Sequence, residues 1–212
     1  MNEGTAMRTL LQIKSSLFSD NGQSTQLANR FVEGWSAANP GGTVIVRDLA
    51  ADPVPHLDAA RFGAFLSKPE ERTAQQAKIL GYSDALIDEM KRAEVVVLGL
   101  PMYNFGVPST LKAYFDHVAR AGVTFRYTER GPVGLLTGKK VLVFAARGGL
   151  YQGMPLDTQT AYVRDFLAFL GMTDVEFVYA EGLAMSPTAK EEALMKARGH
   201  ADRLALRVLA AG

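Results

Sequence analysis

Five short apolar runs, each followed by an amphipathic stretch, constrain the fold of this chain more than any other feature. The runs cover residues 8–14, 43–49, 94–99, 140–146 and 174–182. Runs with so few polar positions are typical of strands that are buried on both faces, as in a parallel sheet. Helical patterns over 24–39, 109–121, 157–170 and 186–206 supply the crossovers between strands.

The longest connection, between the second and third strands, is also predicted to be helical. Ala77, Leu80, Ile87 and Met90 recur there at helical spacing. We find no internal repeat, low-complexity tract or linker, so residues 1–212 are predicted to form a single domain. The expected architecture is α/β, a parallel sheet with helices on both faces.

Composition narrows the classes of partner. Lys and Arg total 23 against 22 acidic residues, which does not favour nucleic acid or a membrane surface. There is no cysteine, so thiolate chemistry and cysteine-ligated metals are excluded. His56, His117 and His200 lack metal-ligand spacing, and His117 is predicted on a helix surface. Without a signal-peptide pattern at the N-terminus, a cytoplasmic location is expected.

Three loops follow strands one, three and four, and all three have unusual compositions. They read SSLFSDNGQS (15–24), PMYNFGVPS (101–109) and ARGGLYQG (146–153). Parallel sheets bind ligands beyond the carboxyl ends of their strands, where the winding reverses. We therefore expect these loops to converge on one site.

The first loop leads into a helix N-terminus, where free backbone amides favour a phosphate group. It lacks the glycines of a dinucleotide fingerprint, and GLLTGKK does not have the spacing of a Walker loop. The alternative is a serine-rich turn in which Ser24 is an ordinary N-cap.

The other two loops indicate a flat ligand with polar edges. Tyr103 and Phe105 are aromatic residues in a loop, and Gly148 and Gly149 permit close approach of the backbone. The alternatives are aromatic plugs at the end of the sheet and a plain glycine turn. One phosphate site and one ring site together fit FMN.

Residues 102–127, MYNFGVPSTLKAYFDHVARAGVTFRY, closely resemble the bacterial FMN-dependent NADH:azoreductases, which also reduce quinones. VRDLAADPVPHLD, ARGG and GMTDVEFVYAEG extend the similarity over essentially the whole chain. The resemblance implies a flavodoxin-like three-layer fold, with a five-stranded parallel sheet in the order 2-1-3-4-5. It also implies a homodimer.

The resemblance also implies site residues. Those matching the family's FMN-binding segments are Ser15, Gly22, Gln23 and Ser24 for the phosphate; Met102, Tyr103, Asn104 and Phe105 for the ring; and Ala146, Arg147, Gly148 and Gly149 for its pyrimidine edge. Those expected around the substrate are Phe105, Tyr127, Tyr151 and Phe169. Family members often carry Ser at Gly22 and Ala146, and His at Tyr151, so weaker FMN binding and an altered substrate range are expected.

The implied activity is two-electron, ping-pong reduction of quinones and azo compounds by NADH or NADPH, through one FMN per chain. No side chain is assigned a catalytic role, although Asn104, Gly148 and Gly149 are expected to tune the flavin. The aromatic connection over 121–140 is expected to cover the neighbouring subunit's flavin in a homodimer. The alternative is that it folds back on its own domain.

Three other classes of protein are alternatives to this enzyme. A flavodoxin-type electron carrier, the main alternative, is usually acidic, whereas this chain carries a formal net charge of +1. A phosphoacceptor receiver domain needs clustered acids where this chain has Ser and Pro-Met-Tyr. A hydrolase of the nucleophile-elbow type needs G-x-S-x-G, which is absent.

Overall fold

The computed structural model describes residues 8–210, with side chains described to residue 207. The strands are β1 (Thr9–Lys14), β2 (Thr43–Asp48), β3 (Val95–Pro101), β4 (Phe125–Thr128), β5 (Gly131–Gly134), β6 (Lys140–Ala146) and β7 (Asp174–Ala180). The helices are α1 (Gln23–Ala38), α2 (Ala59–Leu66), α3 (Ala74–Arg92), α4 (Ser109–Val118), α5 (Thr158–Phe169) and α6 (Pro187–Ala210).

Five of the strands form one parallel sheet in the order β2-β1-β3-β6-β7. This is the predicted spatial order 2-1-3-4-5 when only the parallel strands are counted. The numbers differ because an antiparallel hairpin, β4–β5, precedes the fourth parallel strand. The sheet reverses its winding between β1 and β3, so a crevice is expected beyond their carboxyl ends.

Alternate residues of the central strands feed two separate cores. Val96 and Leu98 pack on the side covered by α3, α4 and α5, and Val95 and Val97 pack on the side covered by α1 and α6. Trp35 is completely buried in the second core. Helices therefore cover both faces of the sheet, so a ligand can approach it at the ends of the strands.

The long connection before β3 is helical, as its apolar spacing predicted. Thr73 and Gln76 form a capping box that begins α3. Helix α4 ends at Val118, short of the predicted residue 121. Thr124 causes this early end, because its hydroxyl donates to the Val118 carbonyl oxygen at 2.6 Å and accepts from the Arg120 N–H at 2.9 Å.

The hairpin β4–β5 was missed by the sequence pattern, because its strands are only four residues each and mostly exposed, so they lack an apolar alternation. Its second strand packs backbone-to-backbone on the end of α5. A Cβ at Gly134 would lie 2.0 Å from the Gly171 nitrogen, so glycine is required there. The 121–140 segment therefore does fold back on its own chain, in part.

His117 is completely buried, so its prediction as a surface residue was wrong. Helix α2, which the sequence pattern did not resolve, brings Phe65 edge-on to the imidazole, and Tyr82 of α3 meets it from another side. Burial lowers the pKa of His117, although a hydrogen bond to the Ala113 carbonyl oxygen opposes this. This histidine contributes to packing.

Across residues 8–210, the structure contains no helix that is both long and apolar enough to cross a membrane.

Candidate functional site

The three loops singled out from the sequence meet at the carboxyl edge of the sheet. The Tyr103 hydroxyl lies 3.4 Å from Ser16 Oγ and 3.3 Å from the Leu17 nitrogen, which joins the second loop to the first. The Met102 N–H donates to the Ala146 carbonyl oxygen at 3.2 Å, which joins the second loop to the third. The predicted convergence is present.

The β1–α1 corner (residues 15–25) begins helix α1 without a side-chain cap. Gly22 is the N-cap residue, and Ser24 lies inside the first turn, so the alternative that Ser24 caps the helix was wrong. The first intrahelical bond from a backbone N–H runs from Gln26 to the Gly22 carbonyl oxygen. The amides of the preceding first-turn residues therefore have no partner within the helix.

Two buried hydroxyls in this first turn also lack partners among the described residues. Ser24 Oγ and Thr25 Oγ1 are buried with no hydrogen bond, although buried polar groups normally have one. They accompany the free amides and the positive end of the helix dipole. Donors that are unsatisfied in this way fit a phosphate group.

The other predicted residues of the corner have different surroundings. Ser15 Oγ donates to the Gly99 carbonyl oxygen at 2.7 Å, so its proton is used to tie β1 to β3. Gln23 is half-buried at the start of α1. A Cβ at Gly22 would lie 2.1 Å from Ser16 Oγ, so a serine at this position requires Ser16 to rotate.

The second loop is a tight turn with an unusual backbone. Asn104 and Phe105 have φ values of 49° and 61°, the left-handed pattern of a type I′ turn, and Tyr103 and Gly106 exchange backbone hydrogen bonds. A phenylalanine rarely adopts positive φ, and such strain concentrates at functional sites.

Two side chains at the start of α5 hold this turn in place. The Thr158 hydroxyl donates to the Phe105 carbonyl oxygen. Gln159 is buried, and its amide donates to the carbonyl oxygens of Pro101 at 2.8 Å and Gly106 at 2.9 Å. The conformation of the turn is therefore determined by α5, which is distant in sequence.

A pocket of about 280 Å³ opens between the second and third loops. It is lined by Met102, Asn104, Phe105, Gly148 and Tyr151. The rings of Phe105 and Tyr151 meet edge-to-face with centroids 5.7 Å apart. The pocket wall combines aromatic faces with the Asn104 amide and exposed backbone at Gly148. These groups suit a flat ring with polar edges.

Arg147 is placed differently from the other residues of the third loop, because its side chain is completely buried and does not line the pocket. It bonds Asp157 at 2.8 Å and Glu181 at 3.1 Å. Burial alone would raise the pKa of Asp157, but hydrogen bonds from Arg147 and Thr160 outweigh it and hold that pKa below its ordinary value. Ala146, by contrast, ends β6 directly beside Pro101.

Tyr127 and Phe169, two of the predicted substrate residues, lie away from this pocket within one chain. Phe125 is their shared neighbour, with its ring centroid 5.5 Å from Tyr127 and 4.3 Å from Phe169. Phe125 is 7% exposed, whereas Tyr127 on the hairpin is 74% exposed. One chain thus brings together Phe105 and Tyr151, and separately Tyr127 and Phe169.

Sequence reasoning missed four residues that shape the site. They are Ser16, Thr25, Thr158 and Gln159. Ser16 and Thr25 adjoin predicted residues in sequence, and this adjacency was a usable signal. Thr158 and Gln159 gave no signal, because they act on a loop more than fifty residues away. No group of acidic or histidine side chains within the described residues could hold a metal ion.

Comparisons with known proteins agree with this geometry. A family model described as flavodoxin-like fold matches residues 8–204. The FMN-dependent NADH:quinone oxidoreductase of Cellvibrio japonicus (strain Ueda107) is 59% identical over 192 residues, which are 91% of this chain and 96% of that protein. Its counterpart in Burkholderia thailandensis (strain ATCC 700388 / DSM 13276 / CCUG 48851 / CIP 106301 / E264) is 58% identical over 91% of this chain and 97% of that protein.

Solved structures give the same result. An azoreductase from Bacillus anthracis str. Sterne matches with a TM-score of 0.86 and 30% identity, over 94% of this chain and 99% of that one. An FMN-dependent NADH-azoreductase from Bacillus anthracis str. Ames Ancestor, solved in complex with FMN, matches with a TM-score of 0.83 and 30% identity, over 94% and 100%. The chain therefore belongs to the flavodoxin-like family, among the bacterial FMN-dependent NADH:quinone oxidoreductases and azoreductases.

Proposed function

We propose that this protein is an FMN-dependent oxidoreductase that uses NADH or NADPH to reduce quinones and azo compounds. The observation that carries the proposal is the pair of unpartnered buried hydroxyls, Ser24 and Thr25, at a helix N-terminus that adjoins an aromatic pocket. A flavodoxin-type carrier is not favoured, because the close relatives are named as enzymes with a quinone acceptor.

The β1–α1 corner would hold the single phosphate of FMN. The Ser24 and Thr25 hydroxyls and the free amides of the first turn of α1 supply donors to the phosphate oxygens. One helix N-terminus accounts for one phosphate, which favours FMN over a dinucleotide. We therefore expect one FMN per chain.

The second and third loops would bind the isoalloxazine ring. Met102 and Phe105 offer apolar contact, and the Asn104 amide can meet a polar ring edge. Tyr103, whose hydroxyl contacts Ser16 and Leu17, would lie between the ring and the phosphate. No hydrogen bond from the N–H groups of Gly148 and Gly149 is found among the described residues, so both can face a ring oxygen that gains negative charge. Arg147 offers no free backbone group, because its N–H donates to the Ala180 carbonyl oxygen and its carbonyl oxygen accepts from the Leu183 N–H.

When bound, FMN would supply the chemistry of hydride transfer between the nicotinamide and the acceptor. The residues that line the pocket would position flat reactants, and no side chain is assigned as a proton donor. Because donor and acceptor would stack in turn on one aromatic-walled site, they cannot bind together. The predicted kinetics are therefore ping-pong.

The test uses stopped-flow and steady-state kinetics on purified, FMN-loaded protein. NADH should bleach the flavin absorbance, and a benzoquinone or an azo dye should restore it rapidly. Double-reciprocal plots at several acceptor concentrations should be parallel. Bleaching without rapid reoxidation would identify a carrier, and intersecting lines would indicate two separate sites.

We further propose that the active enzyme is a homodimer. Tyr127 is exposed at the tip of the β4–β5 hairpin, away from the pocket of its own chain, and Phe105 is 49% exposed beside that pocket. A twofold dimer lets one hairpin cover the partner's flavin site, and exclusion of water there strengthens the stacking. A single-domain organisation and a cytoplasmic location remain predictions from the sequence.

The dimer is tested by sedimentation velocity combined with activity. Tyr127→Ala should leave the stability of the chain unchanged and raise KM for the quinone. Val133→Glu, on the same hairpin, should lower both the mass and the activity in parallel. A fully active monomer would contradict the proposal.

A further inference from the structure

We propose that Arg147 is a positioning residue that couples the two walls of the flavin pocket through a buried ionic network. This inference rests on the proposed FMN site, and it assigns to the buried arginine a role other than the predicted contact with the pyrimidine edge. The network consists of Arg147, Asp157, Thr160, Tyr179 and Glu181.

The first arm of the network reaches the third loop. Arg147 Nη1 donates to Glu181 Oε1 at 3.1 Å, and the same carboxylate accepts from the backbone nitrogens of Tyr151 and Gln152, each at 3.0 Å. The Glu181 carboxylate, on a side chain that is 11% exposed, thus closes the loop over 147–152 into a ring of hydrogen bonds. Tyr151, which lines the pocket, is placed by its own backbone within this ring.

The second arm reaches the second loop. Arg147 Nη2 donates to Asp157 Oδ1 at 2.8 Å, and Asp157 is the N-cap of α5, with its side chain accepting from the Thr160 N–H. The two residues that follow this cap are Thr158 and Gln159, which hold the turn over 103–106. The guanidinium therefore determines where α5 begins, and through α5 the strained turn.

The network has features of a rigid positioning device. Arg147 is completely buried, its guanidinium carbon lies 5.0 Å from the centroid of the Tyr179 ring, and the Tyr179 hydroxyl lies 2.9 Å from Thr160 Oγ1. A planar guanidinium can bridge two carboxylates in a fixed geometry, which a lysine cannot do. Removal of the cation leaves two mostly buried carboxylates, with side chains 7% and 11% exposed, without their shared partner, which is strongly unfavourable.

The chain offers a matched control. Arg47 also bridges two carboxylates, those of Asp52 and Glu89, but it joins the end of β2 to α3 and contacts neither wall of the pocket. Arg147→Met and Arg47→Met therefore remove the same side chain from the same kind of ion triad. Only Arg147→Met should disturb the two walls of the pocket.

The test begins with apoprotein and uses hydrogen exchange followed by mass spectrometry. Arg147→Met should accelerate exchange in both 102–106 and 148–153, whereas Arg47→Met should leave both segments unchanged. Glu181→Gln, a milder variant for the case that Arg147→Met does not fold, should accelerate exchange mainly in 148–153. Unchanged exchange in these segments of a folded variant would overturn the proposal.

FMN titration supplies the second readout and separates the two proposals. Misplaced walls should raise the Kd for FMN about 10- to 100-fold in Arg147→Met and by less than about twofold in Arg47→Met. If the wild-type protein binds no FMN, the proposed function fails, and the exchange experiment still decides the network. If wild type and Arg147→Met bind FMN equally, the positioning role fails and the proposed function stands.

Discussion

The two halves of the site are built in opposite ways. In the β1–α1 corner, hydroxyls and amides are buried without partners, so this half is complete only when an anion is present. In the pocket walls, the loop shape is set by internal bonds of Gln159, Arg147 and Glu181, although Arg147 Nε and Gln159 Oε1 have no partner among the described residues. The corner should therefore determine how tightly the phosphate binds, and the walls should determine where the ring lies.

The largest effect is expected from a negative charge in the corner. Ser24→Asp places a carboxylate beside the phosphate position, and an uncompensated like charge in a buried site costs about 3–5 kcal/mol. The Kd for FMN should rise at least about 100-fold. Riboflavin, which lacks the phosphate, should bind this variant and the wild type equally. Isothermal titration with both ligands measures the contrast, and equal losses for both would contradict it.

The next largest effect is expected from removal of the Ser24 hydroxyl, which should weaken FMN binding without destabilising the apoprotein. Ser24→Ala removes an unpartnered hydroxyl, so urea unfolding should show an apoprotein no less stable than wild type. FMN should bind about 10- to 150-fold more weakly, because a hydrogen bond to a charged group contributes about 1.5–3 kcal/mol. Ser15→Ala is the control, since its hydroxyl already bonds Gly99 and its loss should destabilise the apoprotein. A less stable Ser24→Ala apoprotein would count against the unpartnered hydroxyl.

A smaller effect concerns the strained turn in the walls. Phe105→Gly and Phe105→Ala both remove the ring, but only glycine relieves the positive φ of 61°. The glycine variant should be more stable than the alanine variant by about 1 kcal/mol in urea unfolding. Both should raise the KM for flat acceptors similarly. Equal stability would show that the turn is not strained.

The smallest effect is a pH dependence of the wall network. The pKa of Asp157 in the folded protein lies below its unfolded value, so its contribution to stability is present above the unfolded pKa, near 4, and is lost as pH falls through the folded pKa. Unfolding free energies measured from pH 6 down to pH 3 should therefore fall less steeply for Asp157→Asn than for wild type. Parallel profiles would show that Asp157 does not titrate abnormally.

The same contrast explains how much could be predicted from the sequence. The parallel sheet followed from apolar runs and its strand order from the family resemblance, and the corner was recognisable because Ser24 and Gly22 lie within one local motif. The walls were only partly predictable. Thr158 and Gln159 act across more than fifty residues, and Arg147 was assigned to the ring edge although it faces the interior.

Other differences between the predicted and the observed structure also have specific causes. The hairpin β4–β5 was missed because strands that are short and mostly exposed have no apolar signature, and the burial of His117 follows from Phe65 on a helix that the pattern did not resolve. In each case the local structure depends on a tertiary contact, which leaves no periodic pattern in the sequence.

The central claim, that the corner holds the phosphate and the walls hold the ring, is tested most directly by titrating apoprotein with FMN and with riboflavin. Wild type should bind one FMN per chain, with riboflavin at least about tenfold weaker, the minimum expected from one lost hydrogen bond to a charged group. Ser24→Ala should reduce the ratio of the FMN affinity to the riboflavin affinity. Arg147→Met should weaken the binding of both ligands and leave this ratio unchanged. Equal affinity of wild type for FMN and riboflavin, or a ratio that changes in Arg147→Met and not in Ser24→Ala, would contradict the account.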